Sequence, residues 1–334
     1  MTVRSLHLPV AAQPSVDSLV DLARLGESHG YDFAWLPETW GRDAVTVLTD
    51  IARETDEIGV GPSIVNVYSR SPALLGQTAT TLQEVADGRL RMAIAPSGPA
   101  VVEGWHGTEF DRPLRRTREY LEIMRAVMSG ETVNYDGEIF SLAGFRLRCD
   151  PPAEPVPIDA AGMGPKSVEL AGRFADGWHA VVFTPDGLED RLEDLRRGME
   201  LGDRDPDDVR VTLSLTACAL EDGERARELA RQHFAFYVGA MGTYYRESLS
   251  RQGYEEEAHE IAAAWASGDT EEALDCISDD LLDDLGAAGT PDRAREELAK
   301  FEDIDGIDDI AIGFPRGASS DEIEATIEEL APDE

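Results

Sequence analysis

Lysine is almost absent from this 334-residue chain, which contains only Lys166 and Lys300. Asp and Glu together number 67 against 30 Lys and Arg, and the formal net charge is −37. Nucleic acids and anionic membranes are bound by clustered basic side chains, so this composition argues against both as partners. The acids are spread from Asp17 to Glu334, which favours a solvated acidic surface of a halophilic protein. In ~1 M salt the electrostatic screening length falls to about 3 Å. Most of the repulsion between the acidic side chains is then removed.

Cysteine is also scarce. Cys149, Cys218 and Cys276 form no CxxC pair, so the sequence predicts neither a disulfide framework nor a zinc or other metal site. No 18-residue apolar run and no N-terminal signal segment is present, which predicts a cytoplasmic protein.

Short apolar runs alternate with longer amphipathic segments along the whole chain. The runs predict eight strands, at residues 4–8, 33–36, 58–65, 89–95, 156–160, 177–183, 209–219 and 307–313. Helices are predicted between them, for example from the cap Ser15 and from Pro72. This alternation indicates an α/β protein.

Eight strands with intervening helices favour a closed (β/α)8 TIM-type barrel formed by a single domain, residues 1–334. The alternative is a doubly wound sheet, but residues 9–14 lack the glycine-rich first turn that it requires. Two departures from the alternation are expected. Residues 131–148, around Asp136-Gly137, predict a β-hairpin insertion after the fourth helix. Residues 224–288 predict an insertion of two or three helices before the last strand.

The strand ends on the C-terminal face are where function is expected in such a barrel. Glu38 follows the second strand between Trp35 and Trp40, where it could contact a bound ring system, or instead cap the next segment or pair with an arginine. After the third strand, Gly61-Pro62 favours a bulge or an unusual peptide.

The loop after the fourth strand contains Pro96-Ser97-Gly98-Pro99 and then two titratable groups, Glu103 and His106. A histidine can exchange protons near neutral pH, although a single loop histidine is more often structural.

The segment after the fifth strand predicts a phosphate site. It consists of Ala161, Gly162, Met163, Gly164, Pro165, Lys166 and Ser167 and leads directly into a helix. Small residues allow close backbone approach, the free amides of a helix start bind an anion, and Lys166 adds a positive charge. An ordinary helix start with a first-turn proline is the alternative.

Together these segments resemble the bacterial-luciferase-like family, and in particular its F420-dependent oxidoreductases. The ordered motifs that carry the resemblance are Trp35–Glu38, Ile58–Gly61, Arg70–Pro72, Asp87–Arg89, Ser97–Pro99, Glu103–Gly107, Tyr135–Gly137, Ala161–Pro165, Leu170–Gly172 and Ala175–Gly177.

The resemblance implies a barrel whose C-terminal mouth holds coenzyme F420. It implies that Glu38 contacts the cofactor ring, that Ser63-Ile64 is a non-proline cis peptide against one ring face, and that Asn66 lies beside it. It further implies contacts from Pro96 and Ser97, and a phosphate-holding loop formed by Ala161, Gly162, Gly164, Pro165 and Lys166.

The implied activity is hydride transfer between the deazaflavin ring and a small organic substrate, with the reactivity supplied by the cofactor. Within the family, methylenetetrahydromethanopterin reductases share this layout, including the helical insertion before the last strand, and suggest a methylene-tetrahydropterin as substrate. Three proton-donor positions of related enzymes are occupied here by Pro9, Thr39 and Gly98-Pro99. Glu103 and His106 are therefore the candidate catalytic substitutes, together with Glu38.

Two other functions remain open. An FMN-dependent monooxygenase would use the same barrel and phosphate loop, and a non-catalytic deazaflavin-binding protein would need no proton donor. The resemblance also implies a homodimer or higher homo-oligomer.

Overall fold

The computed structural model describes residues 2–10 and 12–332, so residue 11 and the outermost residues of the predicted 1–334 domain lie outside the described residues. Its strands are β1 (Val3–His7), β2 (Phe33–Leu36), β3 (Gly59–Pro62), β4 (Val65–Asn66), β5 (Met92–Ala95), β6 (Val133–Asp136), β7 (Ser141–Phe145), β8 (Ile158–Ala161), β9 (Gly177–Val181), β10 (Arg210–Ala219), β11 (Gly286–Gly289) and β12 (Asp309–Gly313).

The helices alternate with these strands. They are α1 (Val16–Ser28), α2 (Ala44–Glu54), α3 (Pro72–Val85), α4 (Pro99–Gly104), α5 (Pro113–Met128), α6 (Pro165–Phe174), α7 (Pro185–Leu201), α8 (Gly223–Ala240), α9 (Thr243–Arg251), α10 (Glu255–Ser267), α11 (Thr270–Asp275), α12 (Asp279–Leu285), α13 (Pro291–Glu302) and α14 (Ser320–Glu329).

The central sheet is a parallel barrel. Its strand order is β3, β2, β1, β12, β10, β9, β8, β5 and β4. The two ends of this order meet, because Val60 in β3 bridges Leu90 in parallel, just before β5. β3 and β4 follow each other along one barrel wall and are separated only by Ser63 and Ile64. The prediction of a TIM-type barrel is confirmed.

Amphipathic helices cover the barrel. In α1, for example, Leu19, Leu22 and Ala23 are buried, and the Ser15 hydroxyl accepts a hydrogen bond from the Ser18 amide at 3.1 Å as the N-cap. The other helices around the barrel likewise bury apolar residues against the strands. The core therefore lies between the helices and the outer face of the strands. Within residues 2–10 and 12–332, no helix has both the length and the apolarity needed to cross a membrane.

The structure differs from the sequence prediction in detail. The predicted third strand, residues 58–65, is two strands because the ladder is interrupted at Ser63-Ile64. Between β10 and α13, where two or three helices were expected, the described chain has α8 to α12 followed by β11, which pairs with β10. The breaks occur at Gly242, Gly253 and Gly268, whose φ values of +96°, +96° and +86° end a right-handed helix.

An antiparallel strand pair, β6 and β7, lies within residues 131–148. The carboxylate of Glu119 on α5 accepts hydrogen bonds from the amides of Glu138, Ile139 and Phe140 at 2.9 to 3.3 Å. Glu119 is 1% exposed, so this buried carboxylate is satisfied by the turn and holds it against α5.

Candidate functional site at the barrel mouth

The predicted site residues follow β2, β3, β5 and β8 or, in the case of Asn66, end β4, and parallel strands bring these ends to one face of the barrel. Two contacts tie neighbouring turns together. The Glu38 amide donates to the Ile64 carbonyl at 3.3 Å, and the Asn66 amide nitrogen lies 3.0 Å from His106 Nε2. The turns therefore converge, as a shared ligand pocket requires.

Glu38 is held by neighbours from two elements. Its carboxylate accepts hydrogen bonds from both terminal nitrogens of Arg70, one of them at 2.9 Å. It also accepts the Ala44 amide at the start of α2 at 3.1 Å. The side chain of Glu38 is 11% exposed. The carboxylate thus pairs with an arginine and caps a helix, which fixes its position at the mouth.

The Ser63-Ile64 peptide is cis, as the family resemblance implies. The Ser63 carbonyl accepts a hydrogen bond from His7 Nε2 at 3.0 Å, and the Ser63 hydroxyl lies 3.1 Å from His179 Nδ1. Three strands, β1, β3 and β9, therefore meet at this peptide.

The hydrogen bonds of Asn66 fix the tautomer of His106. The Asn66 Oδ1 atom accepts the Tyr68 amide at 3.0 Å, so the other end of the amide group is the NH2 donor that faces His106 Nε2. His106 Nε2 must then be the acceptor, and the neutral ring carries its hydrogen on Nδ1. Glu103 is exposed and accepts the Phe110 amide at 3.2 Å. The Glu103 carboxylate takes no part in the hydrogen bond between Asn66 and His106.

Ser97 has φ +62°, a left-handed conformation that turns the chain from β5, past Pro96, into α4. Helix α9 lies over this turn: a side chain at Gly98 would meet Tyr244 at 4.0 Å. At the other end of α9, Gln252 accepts the Thr184 amide at 2.7 Å and donates to the Val182 carbonyl at 3.2 Å. The helix therefore extends from the β5 turn to the β9 turn, across the mouth.

The loop after β8 is shaped by close backbone contacts. A Cβ at Gly162 would lie 2.4 Å from the Ser167 Cβ, so glycine is needed for the loop to fold back on α6. The Gly162 carbonyl accepts a hydrogen bond from Trp178 Nε1 at 2.9 Å. Gly164 is the N-cap of α6 and Pro165 its first residue, and no described side chain caps this helix. Uncapped amides of a helix start suit the phosphate arm of a cofactor.

The charge of Lys166 is paired with an acid on its own helix. Its ammonium group donates to both carboxylate oxygens of Glu169, at 3.1 and 2.8 Å, and its side chain is 72% exposed. A small depression beside Met163 is lined by Arg191 and Arg251, together with Asp190. Arg191 is 2.8 Å from Asp194 in an ion pair, which leaves Arg251 as the better placed cation for an anionic ligand.

The sequence analysis missed a polar chain inside the barrel. His179 Nε2 lies 3.0 Å from Asp159, and Arg91 donates two hydrogen bonds of 2.7 Å to the same carboxylate. Both Asp159 and His179 are buried, at 1% and 4% exposure. A signal was present, since each is a polar residue within an otherwise apolar predicted strand.

Two histidines near the site, the half-buried His7 and the buried His233, have lowered pKa values. Burial lowers the pKa of His7 to about 4, against the opposing effect of its hydrogen bond to Ser63. Burial also lowers the pKa of His233, on α8, to about 3, with a further contribution from the charge of Arg316. His233 Nδ1 accepts the Arg316 amide at 3.2 Å, and its Nε2 lies 3.3 Å from the Thr216 hydroxyl.

No group of three or more His, Cys, Asp or Glu side chains suited to a metal ion occurs in the described ranges. The site therefore consists of strand-end turns, an uncapped helix start and the buried Arg91–Asp159–His179 chain.

Comparison with known proteins matches this architecture. A relative from Archaeoglobus fulgidus, a 5,10-methylenetetrahydromethanopterin reductase, is 30% identical over 301 residues, covering 88% of each chain. An F420-dependent glucose-6-phosphate dehydrogenase of Mycobacterium avium is 29% identical over 238 residues, covering 66% of this chain and 70% of the relative.

The fold is that of the coenzyme F420 dependent tetrahydromethanopterin reductase from Methanopyrus kandleri. The two structures superpose with a TM-score of 0.84 at 21% identity, covering 99% of this chain and 98% of that one. Residues 2–306 match the family model described as luciferase-like monooxygenase. The chain belongs to the luciferase-like monooxygenase family.

Proposed function

We propose that this protein is an F420-dependent oxidoreductase that moves a hydride between the deazaflavin ring and a small organic substrate. The observation that carries the proposal is the convergence of four strand-end turns and the uncapped start of α6 on one barrel mouth. Relatives named for F420 support this cofactor over FMN. A methylene-tetrahydropterin is the first substrate to test, because a relative at 30% identity is named for it.

The cofactor contacts are proposed in two groups. Glu38, Ser63, Ile64, Asn66, Pro96 and Ser97 would line the ring, and Ala161, Gly162, Gly164 and Pro165 would hold the phosphate arm. Arg251 would supply the positive charge there in place of Lys166, which is paired with Glu169. When bound, F420 supplies a ring that accepts or gives a hydride. The chain's own contribution is to hold the ring between the Ser63-Ile64 turn and α9, and to exclude water from the mouth. Glu103 and His106 are proposed to act at its edge.

Titration with the two cofactors tests the proposal. Purified protein is titrated with oxidised F420 and, separately, with FMN, while the absorbance and fluorescence of each are followed. We expect F420 to bind at lower concentration, and reduced F420 to be reoxidised under anaerobic conditions by 5,10-methylenetetrahydromethanopterin. Preferential FMN binding with oxygen consumption would instead establish a monooxygenase. F420 binding without hydride transfer to any substrate tried would favour a binding protein.

A matched pair of variants locates the arm. Gly162→Val places a side chain where Ser167 already lies, whereas Gly104→Ala adds a methyl group with no atom within 4 Å. We expect the first to weaken F420 binding at least tenfold and the second to leave it unchanged.

We also propose that the protein is a cytoplasmic homo-oligomer adapted to high salt. Sedimentation analysis in dilute and molar KCl measures the oligomeric state and its dependence on salt.

A further inference from the structure

We propose that Tyr237 and Tyr245, here called the tyrosine pair, bind the substrate on the side of the mouth opposite the Ser63-Ile64 turn, and that they select a planar ring bearing hydrogen-bond acceptors. The inference rests on the proposed function and deepens it by naming a class of substrate and the residues that recognise it. The Ser63-Ile64 turn is assigned to one face of the cofactor ring, so the substrate must approach the other face. Residues on the far side of the mouth are therefore the ones that meet it.

The strand order identifies this far side. β3 and β4 share one position in the barrel, and the closed order then runs through β2, β1, β12, β10, β9, β8 and β5. Strand β10 lies four positions from β3 and β4 in either direction around the barrel. The end of β10 is therefore diametrically opposite the Ser63-Ile64 turn.

His233 fixes helix α8 to the far side. Its Nδ1 accepts the amide of Arg316, which follows β12, at 3.2 Å, so the neutral ring carries its hydrogen on Nε2 and donates it to the Thr216 hydroxyl on β10 at 3.3 Å. His7, whose ring donates to the Ser63 carbonyl, is near enough to His233 to affect its pKa. His233 thus lies on the mouth-facing side of α8 and has both ring nitrogens engaged by the protein.

The tyrosine pair packs on this imidazole. Tyr237 lies one helical turn after His233, and its ring stacks on the imidazole with centroids 4.6 Å apart and planes inclined by 19°. Tyr245, on α9, packs edge-on against Tyr237 with ring centroids 5.1 Å apart. Because each ring is held by a neighbour from another part of the fold, the two hydroxyls are positioned before any ligand arrives.

The hydroxyls of the tyrosine pair are free for a ligand. Five of the eight tyrosines donate a hydrogen bond to a protein acceptor, namely Tyr31, Tyr68, Tyr120, Tyr135 and Tyr254. The other three, Tyr237, Tyr244 and Tyr245, have no hydrogen-bond partner among the described residues, and all three lie on α8 or α9. Tyr244 is set apart, over Gly98 at the β5 turn. The rings of Tyr237 and Tyr245 are half-buried, but their hydroxyls are not among the buried polar atoms that lack a partner, so both remain accessible from the mouth.

Both hydroxyls stay neutral. Burial raises the pKa of Tyr237, against the opposing charge of Arg316, and burial also raises the pKa of Tyr245. A neutral phenol donates its hydrogen to an acceptor such as a carbonyl oxygen or a ring nitrogen. A ligand confined between a flat cofactor ring and aromatic side chains packs best when it is itself flat. The tyrosine pair therefore favours a planar heterocycle with acceptors on its edge.

The charges around the tyrosine pair argue against a sugar phosphate, although one relative is named for glucose 6-phosphate. Among the described residues, Arg316 is the only charged group that affects the pKa of Tyr237, and its guanidinium group packs on the Phe236 ring, 3.7 Å from the ring centre. A sugar phosphate presents many hydroxyl donors and a doubly charged group, which are bound best by carboxylate acceptors and several cations. The tyrosine pair supplies neither.

The first test measures binding without turnover. Protein saturated with oxidised F420 is titrated in a calorimeter with 6-methylpterin, a planar ring with edge acceptors, and separately with glucose 6-phosphate. We expect 6-methylpterin to bind at least about tenfold more tightly than the sugar phosphate, because only the pterin matches flat packing and phenol donors. A smaller preference, a reversed preference or no binding of the pterin would overturn the inference.

Variants then assign the preference to the tyrosine pair. Tyr237→Phe and Tyr245→Phe keep the packing and each remove one hydroxyl, so each should weaken 6-methylpterin binding about three- to tenfold. Tyr237→Leu also removes the ring and should weaken it further. Tyr254→Phe is the matched control, because the hydroxyl of Tyr254 is bound to Asp284 at 2.6 Å on another part of the surface. This control should leave the affinity for 6-methylpterin unaltered.

The affinity for F420 separates substrate contacts from cofactor contacts. It should change by less than about threefold in the Tyr237→Phe and Tyr245→Phe variants, because the pair lies on the substrate side of the ring. In turnover of 5,10-methylenetetrahydromethanopterin, both variants should raise KM more than they lower kcat, since the hydroxyls bind the substrate and do not react.

Unchanged pterin affinity in both phenylalanine variants would overturn the inference while leaving the proposed function intact. An equal loss of F420 and pterin affinity would assign the tyrosine pair to the cofactor and would also overturn it. If the wild-type protein binds no F420, the proposed function itself fails, and this inference fails with it. Unfolding midpoints of all variants identify any loss that comes from misfolding.

Discussion

At the scale of single residues, the position of a charge matters more than its presence. Lys166 is one of two lysines in the chain and lies in the first turn of α6, yet its ammonium group is bound by Glu169. Arg251 lies on α9, about 85 residues further along the chain, and lines the depression beside Met163. Sequence proximity therefore indicated one cation, whereas folding brings a different one to the loop.

This difference predicts the effect of removing each cation. Arg251→Ser should weaken F420 binding by about tenfold, because a charge-assisted hydrogen bond to an anionic arm contributes roughly 1.5–3 kcal/mol. Lys166→Ser should change the affinity less than threefold, because its charge is already neutralised by Glu169 and largely solvated. Fluorescence titration in 0.1 M KCl measures both, and a larger loss in Lys166→Ser would contradict this assignment.

The two histidines with lowered pKa values make stability depend on pH in a defined direction. The pKa of His7 is about 4 and that of His233 about 3 in the folded protein, below the value of 6.5 of an unperturbed histidine. The unfolded chain therefore binds protons that the folded chain does not as the pH falls below about 6.5. Stability should decrease by up to about 1.4 kcal/mol per pH unit for each histidine.

Urea unfolding at pH 7.5, 6.5 and 5.5, at constant high salt, measures this dependence. His233→Gln should reduce the slope between pH 6.5 and 5.5, and His259→Gln should leave it as in the wild type. Equal slopes in all three proteins would show that the His233 ring is accessible to protons in the folded state.

At the residue scale, position along the strands predicted Glu38 and His106 as site residues, because strand ends in a parallel barrel share one face. Asn66 was added by the family resemblance. Strand position could not identify what binds each of these residues. The partners of Glu38 and Asn66, Arg70 and His106, lie 32 and 40 residues away. His179 and Asp159 escaped notice because an apolar strand predicts an apolar interior, whereas here polar groups of neighbouring strands satisfy one another inside the barrel.

At the scale of secondary structure, the crossing of α6 and α7 positions the loop that is proposed to hold the phosphate arm. A Cβ at Gly172 on α6 would lie 2.2 Å from the Leu195 carbonyl on α7, and one at Gly198 on α7 would lie 2.2 Å from the Glu169 carbonyl on α6. The two glycines thus let the helix backbones approach each other closely. The start of α6, at Gly164, is fixed by this contact.

Adding one methyl group at the crossing should separate the helices. Gly172→Ala and Gly198→Ala are each expected to lower the free energy of unfolding by about 1–3 kcal/mol, since the opposing atoms are backbone and cannot rotate away. They should also weaken F420 binding, because α6 carries the loop. Gly104→Ala, which meets no atom within 4 Å, is the matched control. Urea denaturation measures the loss of stability. If a destabilised variant still binds F420 with unchanged affinity, the helix crossing does not position the loop.

The barrel strands were predicted more accurately than the helices inserted before the last strand, and the reason is physical. Barrel strands are short apolar runs bounded by polar turns, and the predicted runs at 33–36 and 177–183 overlap β2 and β9 almost residue for residue. The segment from α8 to α12 has no such pattern, because its helices vary from 6 to 18 residues in length and several are separated by left-handed glycines such as Gly242. Its path over the mouth depends on tertiary contacts, among them Gln252 with Thr184.

At the scale of the whole molecule, the charge is the dominant feature. Most described arginines are paired with acids, for example Arg227 with Asp279 at 2.8 Å and Arg293 with Asp283 at 2.7 Å. With 67 acids and 30 basic residues, such pairing still leaves an excess of 37 negative charges. Their mutual repulsion destabilises the compact state in dilute buffer and is screened by salt.

The melting temperature should therefore rise steeply between 0.05 and about 1 M KCl, where the screening length falls to about 3 Å. A variant in which ten exposed Asp and Glu residues are changed to Asn and Gln should melt higher in dilute buffer and depend less on salt. That comparison separates screening from the general effect of salt on apolar burial, which both proteins share. If the melting temperatures of the two proteins rise equally with salt, the stabilisation comes from the effect of salt on apolar burial. The acidic surface would then have no role in stability.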